Sequence, residues 1–342
     1  EYDGNFTLKI CAPEIDQCME KEFTISNVSA TTGPFTITVD SLSIGQHGSQ
    51  NGGDCDSVGT WVPTDLGPEG DTCTLSTDIQ ITGNGVGMWL DSSRVTLDGA
   101  GHTVTGSQTS GNDHVGVKTC TQCHTMEIKD LTITKFAYGI RSTYAQGLSI
   151  TDVTVRDTGK NPMYISGATQ LQLENNDVAG YLYVVGHNAA RGNGNGSCNS
   201  TNTIIIKNNH AGGLGTSDGT GWCIEGNTIS NGGMNISYAY DQVSPTNHLI
   251  KNNIITGGGI TIVGSGNTFD SNTVTGGDIG FHNEYRAHDN IFTNNIANDN
   301  SQHGFKFDDC DEHSWEPNCN ATPVTFTDNI ATGNGISDFE GV

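Results

Sequence analysis

The chain has 342 residues, and its 38 acidic against 14 basic residues give a formal net charge of −24. Binding to nucleic-acid phosphates requires clustered lysine and arginine, so this composition excludes nucleic acid as a partner. No apolar run approaches the roughly 18 residues that a membrane-spanning helix needs, so we expect no membrane span. Glycine is abundant at 46 residues and proline scarce at 8, which favours a chain rich in tight corners over a disordered one.

Residues 1–45 predict β-strands that are distinct from the rest of the chain. The segments Phe6–Ile10, Glu22–Ile25 and Phe35–Val39 alternate apolar and polar residues, as half-buried strands do. We interpret this domain either as a cap over the open first turn of residues 46–342 or as an assembly segment that pairs with a neighbouring subunit. The start at Glu1 has the character of a mature, processed terminus.

A recurring phrase predicts the architecture of residues 46–342. Asparagine or aspartate before a short apolar strand recurs at steps of 18 to 34 residues, in copies that begin at Asp130, Asp152, Asn176, Asn209, Asn227, Asn253, Asn272, Asn295 and Asn329. One such turn cannot bury its apolar face alone, so the turns must stack. The pattern predicts an all-β fold, a right-handed parallel β-helix of about nine to ten turns. We expect the repeated asparagines to be structural, with their amides hydrogen-bonded from turn to turn.

Two segments in the first regular turns carry a family resemblance. The run Thr72–Asp78 and the following Ser93–Gly106 resemble the opening turns of secreted β-helix repeat proteins, such as the periplasmic NosD-like proteins and many archaeal and bacterial surface proteins. The resemblance extends over about residues 72–335 and implies the β-helix fold. It does not imply one function, because this fold carries lyases, epimerases, hydrolases and inert surface proteins.

Three later segments predict how neighbouring turns align. Gly259–Ile262, Asp278–Phe281 and Gly304–Phe307 are similar strands. Aligned end to end, they place Ile260, Ile279 and Phe305 in one inward column. Because neighbouring turns are about 4.8 Å apart, this alignment predicts that the outward side chains of His282 and Asp308 are neighbours.

The same region supplies the candidate catalytic residues, which are His282, Tyr285, Arg286, Lys306 and Asp308. A lyase or epimerase that acts on uronic-acid polymers needs a base, an acid and a cation beside the sugar carboxylate, and these side chains offer all three. The competing interpretation is a solvated surface with a stacked histidine–aspartate pair. Tyrosines such as Tyr181, Tyr183, Tyr238 and Tyr240 are candidates for a platform on which sugars stack, or for packing alone.

Two further motifs are candidates for cofactor binding. The acidic loop that contains Asp308, Asp309, Asp311 and Glu312 offers the oxygen ligands that calcium prefers, or is simply an acidic surface loop. The run Cys120–His124 matches the Cys-x-x-Cys-His pattern of c-type haem attachment. A disulfide or a pair of thiols is the alternative, and we favour it because the run lies at a predicted corner of the coil.

Cysteines and sequons indicate the compartment. The ten cysteines fall into local pairs, which we predict to be disulfides: Cys11 with Cys18, Cys55 with Cys73, Cys120 with Cys123, Cys198 with Cys223, and Cys310 with Cys319. Glycosylation sequons begin at Asn5, Asn27, Asn195, Asn199, Asn235 and Asn320. Both features are typical of a secreted or cell-surface protein.

The sequence therefore favours a secreted, glycosylated and non-catalytic β-helix protein, acting as a sheath, surface-layer or filament subunit or as a displayed scaffold. The expected partners are copies of itself, other surface glycoproteins and polysaccharide. A polysaccharide lyase or epimerase is the alternative function, and an extracellular haem protein is a more remote one.

Overall fold

The computed structural model describes most of the chain as two compact units, Glu1–Phe35 and Thr36–Val342. The described residues are 2–12, 17–28, 36–47, 50–51, 53–63, 70–107, 110, 114–186, 198, 203–237, 246–284, 287–308 and 324–341, with backbone alone for 2–12, 17–28, 46–47 and 50–51. The units divide at residue 35 and not at the predicted residue 45.

The first unit is an antiparallel β-ribbon. Strand β1 (Tyr2–Ala12) pairs with β2 (Gln17–Val28), and the register places the Cα atoms of Cys11 and Cys18 opposite each other. The predicted strands are confirmed here. The side chains of Cys11, Cys18, Asn5 and Asn27 lie outside the described atoms.

The second unit begins with a short N-terminal series of strands and one helical turn, α1 (Cys55–Val58). The strands are β3 (Thr36–Val39), β4 (Leu42–Ile44), β5 (Gln46–His47), β6 (Gln50–Asn51), β7 (Gly59–Val62), β8 (Asp71–Leu75), β9 (Asp78–Ile81), β10 (Val86–Leu90), β11 (Val95–Asp98), β12 (Thr103–Thr105), β13 (Val115–Thr119), β14 (His124–Thr134), β15 (Tyr138–Thr143), β16 (Gln146–Arg156), β17 (Met163–Ala168), β18 (Leu171–Glu174) and β19 (Asp177–Gly186).

The series continues with shorter strands to the end of the unit. They are β20 (Ile204–Lys207), β21 (His210–Ser217), β22 (Cys223–Glu225), β23 (Thr228–Ser230), β24 (Met234–Ser237), β25 (Leu249–Lys251), β26 (Ile254–Thr256), β27 (Ile260–Ile262), β28 (Thr268–Asp270), β29 (Thr273–Thr275), β30 (Ile279–Asn283), β31 (Ile291–Thr293), β32 (Ile296–Asn298), β33 (His303–Phe307), β34 (Thr325–Thr327), β35 (Ile330–Thr332) and β36 (Ser337–Glu340).

Each turn of the coil passes through three parallel faces, so that equivalent strands of successive turns pair in parallel. Face I contains β8, β11, the first parts of β14 and β16, β18, β20, β22, β25, β28, β31 and β34. Face II contains β3, β9, β12, the later parts of β14 and β16, the first parts of β19 and β21, β23, β26, β29, β32 and β35. Face III contains β4, β10, β13, β15, β17, the later parts of β19 and β21, β24, β27, β30, β33 and β36.

The fold prediction, a right-handed parallel β-helix, is confirmed, but the predicted number of turns is too low. Face III has twelve described strands, from β4 to β36. The turns before Asp130 carry no copy of the phrase, because Thr77 and His102 occupy the equivalent corner positions, so counting the phrase missed them. Strands β3 and β4, which were assigned to the N-terminal domain, pair with β9 and β10 of the coil.

Residues 53–62 cover the first strand of face I. Strand β7 runs antiparallel against β8, and α1 buries Cys55 and Val58 in the core. A disulfide joins Cys55 to Cys73 on β8. Residues 53–62 thus supply part of the N-terminal cover of the β-helix, because the edge of its first face I strand would otherwise be unpaired.

The interior is a set of aligned apolar columns. Aliphatic residues fill the earlier turns, and phenylalanines fill the later ones, with Phe281 stacked on Phe305 at a centroid distance of 4.7 Å. Burying each such side chain contributes roughly 1.5–3 kcal/mol. Because each residue packs on its equivalent in the next turn, the core is continuous along the helix.

An asparagine ladder lines the corner between faces I and II, as predicted. Asn253 is fully buried. Its Oδ1 accepts from the backbone N–H and from Nδ2 of Asn227, both at 2.9 Å, and its own Nδ2 donates to Ile224 O and Asn272 Oδ1 at 2.9 Å. The ladder consists of Asn176, Asn209, Asn227, Asn253, Asn272, Asn295 and Asn329.

The first two copies of the phrase do not belong to this ladder. Asp130 and Asp152 lie one position earlier, at corners where the backbone is left-handed, with φ of 47° and 54°. The ladder position of the second copy is Val153, whose N–H donates to Asn176 Oδ1 at 3.0 Å. Aspartate occurs at these corners because its short side chain tolerates positive φ.

The described residues contain disulfides at Cys55–Cys73, Cys120–Cys123 and Cys198–Cys223, which confirms three of the five predicted pairs. Cys310 and Cys319 lie outside the described residues. No helix in the described part of the chain is long and apolar enough to cross a membrane.

Candidate functional site

Face III presents one continuous outward row, with one side chain from each turn. Alternate residues of a strand point to opposite sides of the sheet, and parallel pairing keeps equivalent residues in line. From the first turn to the last, the row consists of Ser43, Trp89, Lys118, Arg141, Tyr164, Tyr183, Gly215, Asn235, Thr261, His282, Lys306 and Glu340. We call it the face III row.

The register of the last turns differs from the sequence prediction. Ile260 pairs with Phe281 and not with Ile279, and Phe281 pairs with Phe305. Only the middle segment is offset, by two residues, whereas Ile260 and Phe305 share a column as predicted. Lys306 is consequently the direct neighbour of His282 in the row.

The predicted contact between His282 and Asp308 is present all the same. His282 Nε2 lies 2.8 Å from Asp308 Oδ2, and Lys306 Nζ lies 3.4 Å from the other oxygen, Asp308 Oδ1. All three side chains are between 23% and 29% exposed. A neutral His282 that donates from Nε2 keeps its Nδ1 lone pair, so this cluster holds a candidate base beside a cation.

A shallow cavity of about 330 Å³ borders this cluster, at the corner between faces II and III. Its floor is glycine: Gly257, Gly258 and Gly259 on one turn, Gly276 and Gly277 on the next. Thr261 and His282 lie on one side and Asp278 on the other. A Cβ at Gly258 would lie 2.4 Å from the backbone nitrogen of Gly233, so the floor keeps its close turns only with glycine.

Asn235, the predicted glycosylation site, lies in the same row and is exposed. Thr261 is its neighbour on the next turn. A glycan on this asparagine would stand over the middle of the face III row. Its glycosylation stays a prediction, and Asn195, Asn199 and Asn320 lie outside the described residues.

The earlier half of the row is aromatic and basic. The sequence indicated Tyr183 as a candidate for stacking, but it did not identify Tyr164, Lys118 or Arg141 as its neighbours. Tyr164 and Tyr183 stack with centroids 5.4 Å apart and planes 20° from parallel. Lys118 and Arg141 precede them on adjacent turns. The four residues are 19 to 23 positions apart in sequence, and only the register of the coil brings them together. Tyr238 and Tyr240 lie outside the described residues.

Beside this half, Tyr181 packs across the backbone of the following turn. Burial, together with the nearby Tyr183, raises the pKa of the Tyr181 phenol above its ordinary value. A Cβ at Gly213 would lie 2.4 Å from the Tyr181 ring, so the ring lies directly on the glycine backbone. The Tyr181 phenol is therefore a neutral hydrogen-bonding group near pH 7.

The remaining candidates fall into two groups. Tyr285, Arg286, Asp309, Asp311 and Glu312 lie outside the described residues, so the catalytic and calcium assignments that use them stay predictions. Cys120 and Cys123 are bonded to each other, which occupies the sulfurs that thioether attachment of a haem would need. The predicted disulfide is confirmed here, and the haem alternative is wrong.

Two cysteines and a carboxylate also come together, at Cys198, Cys223 and Glu225, within the described part of the chain. The two sulfurs form a disulfide there. A metal needs thiolates from cysteine, so this group is a crosslink and not a metal site.

Comparisons with known proteins concern the fold. Residues 188–341 match a family model described as a right handed beta helix region. The catalytic domain of GH87 alpha-1,3-glucanase in complex with nigerose aligns with 14% identity and a TM-score of 0.43, over 79% of this chain and 61% of that chain. The Azotobacter vinelandii mannuronan C-5 epimerase AlgE4 A-module aligns with 12% identity and a TM-score of 0.36, over 81% of this chain and 86% of that chain.

This chain thus spans about three fifths of the length of the glucanase chain. A comparison with curated protein sequences gives no match. Parallel pairing through all twelve strands of face III, together with the family match over residues 188–341, defines the chain as a right-handed parallel β-helix protein.

Proposed function

We propose that this protein is an extracellular, non-catalytic structural subunit that assembles with other copies of itself through its N-terminal ribbon. The observation that carries the proposal is the separate two-stranded sheet of β1 and β2, with strands of 11 and 12 residues. A ribbon of two strands is marginally stable in water. Its long edges keep N–H and C=O groups that accept a further strand.

The cover at the start of the coil supports an intermolecular role for the ribbon. On face I, β7 already pairs with the first strand, β8. Residues 53–62 therefore perform part of the capping for which residues 1–45 were a candidate. This leaves pairing with another chain, a second copy or another surface glycoprotein, as the use of the ribbon that we favour.

The disulfides support an extracellular location. Three crosslinks occur among the described residues, and such bonds persist in oxidising compartments. The sequons at exposed Asn235 and elsewhere agree with that location. A disulfide-braced coil of this kind resists local opening, as a subunit of a surface layer or filament must.

Light scattering and electron microscopy of the full chain test the assembly. We expect concentration-dependent polymers from the native chain, and monomers from a Thr7→Pro/Thr24→Pro variant, because proline removes ribbon N–H donors. A Thr7→Val/Thr24→Val variant is the matched control and should assemble. A native chain that stays monomeric at every concentration, or a proline variant that assembles equally well, rules the proposal out.

A second candidate function rests on the cluster of His282, Lys306 and Asp308 beside the glycine-floored cavity. In a lyase or epimerase for uronic-acid polymers, Nδ1 of His282 would accept the proton next to the sugar carboxylate. Lys306 would balance the negative charge that develops there. Asp308 would orient the imidazole, as carboxylates do for catalytic histidines.

This candidate is tested by incubating the full chain with polyuronates and following unsaturated products by ultraviolet absorbance and epimers by NMR. Turnover that His282→Gln abolishes would support it. His210→Gln is the matched control, because His210 forms a comparable pair with Asp177, at 3.0 Å, on face II. Absence of turnover with every polymer removes this candidate and leaves the structural role in place.

A further inference from the structure

The earlier half of the face III row combines aromatic rings and positive charge in a way that the structural role does not use. We call this surface the tyrosine–cation strip and define it by Lys118, Tyr138, Arg141, Lys160, Tyr164 and Tyr183. These residues lie on or beside β13, β15, β17 and β19, which are successive turns of face III. The strip is several turns away from the His282 cluster.

The aromatic part of the strip is a stacked pair of tyrosines whose second ring lies over a glycine. Tyr164 stacks on Tyr183, and the next position in the row is Gly215. A Cβ at Gly215 would lie 2.7 Å from a ring carbon of Tyr183. The Tyr183 ring therefore rests on the glycine backbone, while it stays half-exposed to solvent. Partly exposed tyrosine rings are surfaces on which the CH faces of sugars stack.

The cationic part is adjacent and is organised around one ring. The guanidinium carbon of Arg141 and the Nζ atom of Lys160 each lie 5.5 Å from the centroid of Tyr138. Lys118 is the direct strand neighbour of Arg141. Neither Lys118 nor Arg141 forms an ion pair with a described residue. The two cations therefore have capacity for a ligand anion.

Carboxylates are absent from the described positions of this surface. Between Trp89 and Asn235, the face III row contains no aspartate or glutamate. A second row lies two residues further along the same strands and consists of Thr143, Ser166, Val185, Ser217 and Ser237. It contains no aspartate or glutamate either. In a chain of net charge −24, these rows contain two positive charges, on Lys118 and Arg141, and no described carboxylate between Trp89 and Asn235. A polyanion would be repelled elsewhere and attracted here.

We propose that the tyrosine–cation strip binds an extended anionic polysaccharide, laid along the helix axis with its sugar rings on the tyrosines and its anionic groups on Lys118 and Arg141. Successive turns are about 4.8 Å apart. That spacing is close to the length that one pyranose unit adds to an extended chain, so equivalent side chains meet successive sugars. The inference is independent of the assembly proposal, because it uses no part of the ribbon.

The experiment measures binding of the full chain to a carboxylated polymer (polygalacturonate), a sulfated polymer (heparin) and a neutral β-glucan, by calorimetry at low and high salt. We expect affinity for a carboxylated or sulfated polymer that weakens with added salt, because the cations are partly exposed to solvent. We expect weakening by about tenfold or more in Lys118→Gln/Arg141→Gln and in Tyr183→Ala, with unchanged melting temperatures. Lys207→Gln, which removes a cation from face I, is the matched control and should bind as the native chain does.

Several outcomes would overturn the proposal. These are no binding to either anionic polymer at low salt, tighter binding to the neutral glucan, or equal weakening by Lys207→Gln. A stronger response to the carboxylated than to the sulfated polymer, or the reverse, would identify the anionic group. If a ribbon variant that no longer assembles still binds, the strip acts in the single subunit, and the two proposals are separated.

Discussion

The Nδ1 atom of His248 accepts a hydrogen bond from the backbone N–H of Trp222 at 3.0 Å, in a column where asparagines accept the same bond on the following turns. His248 is 2% exposed, and its Nε2 has no hydrogen-bond partner among the described residues. Accepting at Nδ1 requires the neutral imidazole with its proton on Nε2. Burial accordingly lowers the pKa of His248 to about 3.

This histidine predicts a pH-dependent stability. The unfolded chain binds a proton at His248 near its ordinary pKa of 6.5, whereas the folded chain binds it only near 3. The free energy of unfolding therefore falls as the pH drops from 6.5 towards 3, by up to about 1.4 kcal/mol per pH unit from this group. Below that window the contribution of the group is constant.

A His248→Asn variant isolates the effect, since asparagine supplies an acceptor for Trp222 and does not titrate. We expect its stability advantage over the native chain to grow as the pH is lowered, in urea unfolding followed by tryptophan fluorescence. His288→Asn, at a position where the side chain is 51% exposed, is the control that removes a surface histidine, and the response of His248→Asn is compared with it. Parallel curves for the native chain and His248→Asn would contradict the assignment.

The asparagine ladder predicts that removal of a single buried amide strongly lowers the free energy of unfolding. Asn253→Ala leaves the buried N–H of Asn227 and the carbonyl of Ile224 without their partners. Each buried group left unpaired costs about 1–3 kcal/mol, so we expect a loss of about 3 kcal/mol or more in chemical denaturation. Asn329→Ala, at the half-exposed end of the ladder, should cost clearly less because water can replace its bonds. Equal losses at the two positions would mean that burial does not determine how much each ladder amide stabilises the fold.

The phenylalanine column predicts that the stabilising contribution of each ring falls towards the end of the coil. Phe305 is fully buried and stacks on both Phe281 and Phe339. Phe305→Ala should destabilise the helix by about 3–5 kcal/mol, because a cavity remains. Phe339→Ala is the comparison at a ring that is 43% exposed, and we expect a loss below about 1.5 kcal/mol. Circular dichroism during urea unfolding measures both losses, and the reverse order would show that the register is different.

The disulfides predict a ranking by the length of chain that each one closes. Cys198–Cys223 and Cys55–Cys73 span 25 and 18 residues, and Cys120–Cys123 spans 3. Closing loops of the two longer lengths stabilises a fold by about 3 kcal/mol through the entropy of the unfolded chain. Paired serine substitutions, compared by thermal melting, should lower the melting temperature strongly at the two long pairs and slightly at Cys120–Cys123. A large loss at the short pair would point to a role beyond loop closure.

The repeated asparagines illustrate what could be predicted locally. The side-chain amide of Asn253 forms hydrogen bonds with both neighbouring turns. Such a residue must recur once per turn, so its spacing in the sequence reveals the coil. Asp130 and Asp152 were placed in the wrong column by one residue, because aspartate suits both a ladder and a left-handed corner. The local pattern does not distinguish the two positions, whereas the hydrogen bond from Val153 to Asn176 does.

The candidate site shows where prediction from sequence ends. His282 and Asp308 were predicted to meet, and they do, although the alignment of Ile260 with Ile279 was wrong by two residues. The contact survives that error because Asp308 lies only two residues beyond Lys306, the direct partner of His282, which is within diagonal reach on the same face. The alignment of Lys118, Arg141, Tyr164 and Tyr183 in one row depends on three successive turns, and the length of each corner in those turns adds its own uncertainty.

The sequence by itself determined the fold class, the corner asparagines and the local disulfides, because each of these depends on residues within one turn or on a period that repeats. Only the tertiary structure decided the face III row, the twelve turns and the histidine in an asparagine column. Each of these features depends on the lengths of many successive corners. A shift of one residue in any corner would move an outward side chain to the inward side of its strand.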